Sequence, residues 1–326
     1  MNKSLIIVVS PFQLLCAISA IKEYCILEYK LILIQSERLD QMEEIAKYFK
    51  LQWEVQSPIV FKKRLGTLRL AKKALYPLKS NYDNLIVGDV RDVNLMLKGL
   101  SYGNLLKKII IVDDGNIMLS YFSGTMIKSF RSKIYWKLLQ FVAKLRKITI
   151  EYFTIYNADS SKFNVKKNPL QLQSSNDTKK EVIFFVGTNS NVHCDYYGYT
   201  KEKYLDILKL MLSKLVAEST TLIQYIAHGR DSFPEVKSIC DSLAISYVRP
   251  RNCIELYALE NNFELKYIYG FGSSALYNLK LIYPNASVYN IKLFGDDKSK
   301  IAEMDSINKA YNSIGIEDYD LETIYQ

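Results

Sequence analysis

Along this chain, short aliphatic runs alternate with stretches of helical period, and each run closes on a polar or glycine-bearing turn. Residues 5–9 form the first run, stopped by Ser10-Pro11, and residues 13–23 then place apolar side chains at helical spacing. Residues 30–35 predict a second strand and residues 40–49 a helix. Residues 84–87 and 108–112 are further short strands, ending in Gly88-Asp89 and in Asp113-Asp114-Gly115. Strands alternating with helices predict a parallel sheet covered on both faces.

The composition changes near residue 165. Residues 165–180 hold lysines, Asn, Ser, Gln and one Pro, with few large apolar side chains. A linker is therefore expected over 166–180, between domains at 1–165 and 181–326. The strand–helix pattern then restarts. Strands are predicted at 182–186, 221–226, 266–269 and 287–291, with helices at 201–217, 233–243 and 274–282. The strands end at Gly187, at His228-Gly229 and in a Gly-Ser turn. The chain thus reads as two α/β halves in tandem. Such sheets bind ligands beyond the carboxyl ends of their strands, where these polar turns lie, so a cleft between the halves is the expected site.

Composition agrees with two ordinary domains. The chain has 326 residues, 49% of them apolar and 24% charged, which excludes a disordered chain. Its 25 tyrosines suit positions that bridge core and surface, and a sugar-binding cleft would use some of them. The five cysteines (Cys16, Cys25, Cys194, Cys240 and Cys253) show no CxxC spacing. That fits a reduced, cytoplasmic compartment without disulfides or a zinc site. The apolar start at residues 5–20 is interrupted by Ser10, Pro11 and Gln13, so it reads as a buried strand and helix and not as a signal peptide. No apolar run approaches the ~20 residues of a membrane span.

The net charge of +9 admits nucleic acid, an anionic membrane surface or an anionic substrate as partner. No nucleic-acid motif accompanies it. The charge is concentrated in two acid-free stretches. Residues 61–79 carry Lys62, Lys63, Arg64, Arg69, Lys72, Lys73 and Lys79; residues 126–150 carry Lys128, Arg131, Lys133, Lys137, Lys144, Arg146 and Lys147. The second stretch also holds Phe130, Tyr135, Trp136, Leu138, Leu139, Phe141, Val142 and Leu145. It reads either as a helix packed on a sheet with a solvated basic face, or as a peripheral element on the inner membrane surface.

Three turns carry candidate chemistry. Asp113-Asp114-Gly115 places two carboxylates after a strand: one of them a base for an acceptor hydroxyl, or both on a divalent metal, or both merely shaping the turn. His228 ends an apolar strand and, with Arg230, is suited to charge growing on a departing phosphate; a structural histidine is the competing reading. His193, in the irregular polar stretch 189–198, reads as structural. Gly270-Phe271-Gly272-Ser273-Ser274-Ala275 joins a strand to a helix, where amide N–H groups and hydroxyls bind phosphate without a metal. It also matches a dinucleotide fingerprint. That reading needs an acid at the end of the next strand, where the chain has Asn290.

The segment Val8-Val9-Ser10-Pro11-Phe12-Gln13-Leu14-Leu15 resembles the opening of bacterial sialyltransferases of the lipooligosaccharide and capsule type. Asp113-Asp114-Gly115 resembles the acidic-acidic-glycine motif that they share with bacterial polysialyltransferases. Residues 225–230 resemble their His-Pro motif, with Gly229 in place of the proline, and Ser273-Ser274 their serine motif. Residues 249–256, with Glu255, are similar to the segment that follows the His-Pro motif.

The resemblance implies a GT-B fold, two Rossmann-like domains facing across a cleft. It implies an inverting transferase without metal or cofactor, moving sialic acid or a related nonulosonic acid from its CMP donor to a saccharide or glycolipid, galactose being the expected terminal sugar. Asp114 is then the expected base and Asp113 the second choice, because adjacent residues at a strand end face opposite ways and Gly115 leaves room for a sugar. His228 assists departure of CMP. Gly115, Arg230, Glu255, Gly272, Ser273 and Ser274 fall on the donor side, and Ser10 and Gln13 on the acceptor side. A metal-dependent transferase using another sugar nucleotide, or a non-catalytic binder of anionic surfaces, are the alternatives.

Overall fold

The computed structural model describes residues 3–58, 64–77, 82–88, 91–124, 130–170, 179–231, 233–292 and 298–319. The backbone divides into two compact units, residues 1–170 and 171–326. In the first, strands β1 (Lys3–Val8), β2 (Glu28–Ile34), β3 (Trp53–Gln56), β4 (Asn84–Val87), β5 (Lys108–Val112), β6 (Thr149–Thr154) and β7 (Val165–Lys167) form one sheet in the order β3-β2-β1-β4-β5-β6-β7. Every pairing is parallel. Its helices are α1 (Pro11–Glu23), α2 (Leu39–Tyr48), α3 (Arg64–Leu75), α4 (Val93–Ser101), α5 (Asn116–Phe122) and α6 (Phe130–Leu145).

In the second unit, β8 (Lys180–Val186), β9 (Leu222–Ile226), β10 (Ser246–Val248), β11 (Phe263–Gly270), β12 (Ser287–Ile291) and β13 (Ile316–Tyr319) form a parallel sheet in the order β10-β9-β8-β11-β12-β13. Its helices are α7 (Ser190–Tyr197), α8 (Lys201–Glu218), α9 (Pro234–Ser242), α10 (Ile254–Glu260), α11 (Ser274–Ile282) and α12 (Lys298–Asn312).

The central strands explain why the pattern was legible. β1, β4 and β5 are buried along nearly their whole length, as strands covered on both faces must be, so they appear as unbroken aliphatic runs. Each fully buried Ile or Leu in them contributes about 1.5–3 kcal/mol of transfer free energy. Side-chain oxygens fix the helix starts: Ser10 caps α1, with Pro11 at its first position, Asp92 caps α4, Thr200 caps α8 and Ser273 caps α11. In each sheet the strand order reverses at one place, between β1 and β4 and between β8 and β11.

Several expectations need correcting. Residues 166–180 are not a tether throughout: Val165–Lys167 pairs with β6, and Asn168 and Leu170 are buried. Residues 171–178 lie outside the described residues, as do Asp89, Lys62, Lys63, Lys79 and residues 125–129. Residues 189–198 are not irregular, because α7 occupies most of them. The stretch 126–150 is not one helix: α6 ends at Leu145, and Thr149 already begins β6. Arg146 is not part of a solvated basic face. Its guanidinium donates to Ala74 O and Leu100 O, each at 2.8 Å, and to Gly103 O, gathering orphan carbonyls at the ends of α3 and α4. Among the described residues no helix is long and apolar enough to cross a membrane.

Candidate active site

In the N-terminal unit the polar turns after β1, β4 and β5 meet at the switch point of the sheet. Asp113 and Asp114 part company there. Asp113 has no exposed surface. Its Oδ1 accepts from Thr154 Oγ1 at 2.5 Å and its Oδ2 from the Ile155 N–H at 2.7 Å, both at the end of β6. Burial pushes its carboxyl up to about 7, against the pull of those two hydrogen bonds and of Lys167. Asp114 keeps 13% of its side chain open. Its Oδ1 accepts from Ser10 Oγ at 3.2 Å, and its Oδ2 from Arg91 Nη2 at 3.1 Å. Gly115 follows at φ 66°, ψ −150°, a conformation essentially reserved for glycine, and caps α5.

Ser10 and Gln13, expected on the acceptor side, are both buried. Ser10 divides its hydroxyl between Asp114 and the Gln13 N–H. Gln13 Oε1 accepts from the Val9 N–H at 2.8 Å, and the side chain packs closely against Gly88. A Cβ at Gly88 would fall 2.1 Å from Gln13 Cδ. The two residues therefore lock the β1 turn against the end of β4 and, through Ser10, orient Asp114.

In the C-terminal unit the corresponding turns follow β9 and β11. His228 is half-buried, and its Nδ1 accepts from the Arg230 N–H at 3.2 Å. In the neutral ring the proton therefore sits on Nε2, where it is a donor. The turn is pinned from behind: the Asp231 N–H donates to His228 O at 2.9 Å, Ser190 Oγ donates to Asp231 Oδ1 at 2.6 Å, and Arg249 donates to Asp231 O at 2.9 Å. The Arg230 side chain is exposed.

The Gly270–Ser274 turn lies at the β8–β11 switch point. Gly270 is required by close approach, since a Cβ there would meet Val186 O at 2.9 Å. Gly272 has φ +57°. Its N–H donates to Asn290 Oδ1 at 2.9 Å, which ties the turn to the end of β12. Asn290, from the end of β12, occupies the place where a dinucleotide site needs an acid. Tyr311 Oη donates to Ser273 O at 2.8 Å and steadies the same turn. Ser273 and Ser274 begin α11 and are half-buried, and Ser273 Oγ caps the helix by accepting from the Ala275 N–H.

Glu255, also expected on the donor side, lies deeper. It is buried at the start of α10, where Asn278 of α11 donates to its Oε1 at 2.7 Å, and burial pushes its carboxyl up. It ties α10 to the helix that carries the serines. His193 is buried among Tyr199, Tyr204 and Phe271, bonded through Nδ1 to the Tyr199 hydroxyl. Among the described residues no three His, Cys, Asp or Glu side chains gather as a metal site. Sequence reasoning missed Arg91, Thr154 and Asp231, each of which holds a predicted residue in place.

No family model matches the chain, and no curated protein matches it in sequence. Solved structures do match in fold. An α/β-galactoside α-2,3-sialyltransferase from the luminous marine bacterium Photobacterium phosphoreum covers 97% of this chain and 98% of its own at 13% identity, with a TM-score of 0.52. A Listeria monocytogenes protein assigned as a UDP-N-acetylglucosamine 2-epimerase covers 94% and 82% at 10% identity, with a TM-score of 0.55. Acinetobacter baumannii MurG covers 99% and 88% at 9% identity, with a TM-score of 0.50. The two parallel sheets with their flanking helices, read with these likenesses, give the chain the two-unit α/β fold of the GT-B glycosyltransferases.

Proposed function

We propose that this protein is an inverting glycosyltransferase that moves sialic acid, or a related nonulosonic acid, from its CMP donor to a saccharide acceptor. The observation that carries the reading is the divided carboxylate pair. Asp114 opens from the end of β5 with both oxygens oriented, by Ser10 and by Arg91, while Asp113 is sealed beneath it. A base for a hydroxyl needs such a held, partly accessible carboxylate.

In this reading the acceptor oxygen bonds to the anomeric carbon as its proton passes to Asp114. The bond from that carbon to the CMP phosphate oxygen breaks, and the phosphate keeps the electron pair. The transition state is oxocarbenium-like, so catalysis rests on charge placement. The His228 Nε2–H and the Ser273 and Ser274 hydroxyls are suited to the growing phosphate charge, and Arg230 to the donor's carboxylate or phosphate. A donor with two negative charges suits a chain of net charge +9. The order of the motifs along the chain and the likeness in fold to a sialyltransferase support the donor class.

The test is an assay of CMP release from CMP-sialic acid with a panel of galactosides, run beside UDP-sugars. Two of the matching structures bear the names of a UDP-N-acetylglucosamine 2-epimerase and of MurG, so UDP-N-acetylglucosamine is the informative control. Release that depends on a galactoside and persists in EDTA supports the proposal. Turnover only of a UDP-sugar, or turnover abolished by EDTA and restored by manganese, overturns it.

A further inference from the structure

Three helices of the N-terminal unit pack on one another: α3, α4 and α6. α4 is apolar on most sides, and Val93, Leu95, Met96, Leu97 and Leu100 are all buried, so α3 and α6 close over it. The outward faces of those two helices carry what a helix packed into a water-facing surface ordinarily lacks. On α6, Ile134, Phe141 and Leu145 are exposed, Phe141 by 55%. Their spacing of seven and four residues places them on one line along the helix, about 16 Å long. Lys133, Lys137 and Lys144, also exposed, form a second line on its flank. On α3, Leu68 and Tyr76 are exposed, Tyr76 by 79%, beside Arg69, Lys72 and Lys73. Arg146 joins the two elements, since its guanidinium at the end of α6 reaches Ala74 O near the end of α3. The sequence has no acid in 61–79 or in 126–150.

We propose that the α3–α6 face docks on an anionic lipid surface. Parallel apolar and basic lines match the layering of such a surface. The aliphatic and aromatic side chains enter the boundary between headgroups and acyl chains while the lysines remain at the phosphates. A nucleic acid would take the lysines but make no use of Ile134, Phe141 and Leu145. The docking is independent of the reaction proposed above, and its failure leaves that reaction untouched.

Co-sedimentation of the full chain with vesicles tests it. Vesicles of phosphatidylcholine alone and of phosphatidylcholine mixed with phosphatidylglycerol are compared, at low and at high sodium chloride. Binding is expected to the anionic vesicles, falling steeply with salt. The triple change Lys133→Gln, Lys137→Gln and Lys144→Gln should weaken it about a hundredfold, each lysine near such a surface contributing about fivefold. Tyr76→Ser and Phe141→Ser, chosen because both side chains are mostly solvent-facing, should weaken it at every salt concentration while leaving the melting temperature within a few degrees. Equal partition to neutral and anionic vesicles overturns the proposal. So does binding to the anionic vesicles that the lysine changes leave intact. Binding to double-stranded DNA as tight as to the vesicles, unaffected by Tyr76→Ser and Phe141→Ser, also overturns it, in favour of a polyanion site.

Discussion

Asp113 and Asp114 are chain neighbours that face opposite sides of the end of β5. Asp113 is fully enclosed and bonded to Thr154 and Ile155, while Asp114 is partly open and bonded to Ser10 and Arg91. Their roles in the proposed reaction therefore separate, and so do the consequences of changing them.

Asp114→Asn keeps the size of the side chain but cannot take a proton at neutral pH. Transfer to a sugar acceptor is expected to fall by about 10²–10⁴-fold, the usual contribution of a general base. CMP affinity by calorimetry and the melting temperature should stay near those of the wild type. If donor binding weakens as well, the carboxylate serves the nucleotide or a metal instead.

Asp113→Asn bears on stability. The folded carboxyl titrates at about 7 against an ordinary 3.8, so the folded state holds a proton that the unfolded chain gives up. Its contribution is complete below pH ~4 and is lost as pH rises to about 7. An amide can offer its oxygen to the Ile155 N–H and its NH2 to Thr154 Oγ1. The variant should therefore lose this slope, and its advantage over the wild type should grow between pH 5 and pH 8 by on the order of a few kcal/mol. Denaturant midpoints across that range measure it, and parallel curves for the two proteins would count against a raised Asp113.

His228→Ala removes the proposed donor to the departing phosphate. Turnover should drop about 10²-fold or more, as for other groups that stabilise transition-state charge. Circular dichroism should be unchanged, because Ser190, Asp231 and Arg249 pin the turn without the ring. A near-normal rate in a folded variant would falsify the catalytic assignment and leave His228 a turn residue.

His193 works in the opposite sense from Asp113. Burial lowers its imidazole from 6.5 to about 4. Between those values the unfolded chain takes up a proton that the folded chain refuses, so stability falls as pH drops from about 6.5 towards 4. His193→Phe, similar in shape to the ring it replaces among Tyr199, Tyr204 and Phe271, should flatten that acid limb. It costs about 1 kcal/mol at pH 7 for the lost Tyr199 hydrogen bond. Melting at pH 7 and at pH 4.5 separates the two effects.

Gly115→Ala tests the backbone. At φ 66° and ψ −150° a Cβ is strained, and a loss of about 1–3 kcal/mol is expected, read from the thermal midpoint. A stability equal to that of the wild type would mean that the turn relaxes freely.

What the sequence disclosed follows from where information lies in a chain. Strands buried on both faces announce themselves, and the predicted bounds of β4, β5, α11 and β12 agree with the structure residue for residue. β3 and β13 lie at sheet edges and carry polar side chains, so their short segments gave no such run. The turns after β5, β9 and β11 were visible as polar breaks, but their supports were not. Arg91 reaches Asp114 across 23 positions and Thr154 reaches Asp113 across 41. Nothing local marks an arginine or threonine as the partner of a distant carboxylate. The burial of Glu255 was hidden for the same reason: the Asn278 that holds it inside lies 23 residues on.

The strand order carries one more consequence, for the way the molecule comes into being. With every described pairing parallel, no hairpin can nucleate either sheet, and each neighbour must be reached by a crossover. The longest closures are those at the two switch points. Ser4 meets Asn84 across 80 positions, and Lys180 waits for Phe263. Contacts of such high sequence separation are entropically the last to be secured on folding. The seats of Asp114 and of Ser273 are built on these closures. On refolding, helical signal and collapse should therefore recover early and ligand binding late, and a chain arrested part-way would be compact yet unable to bind.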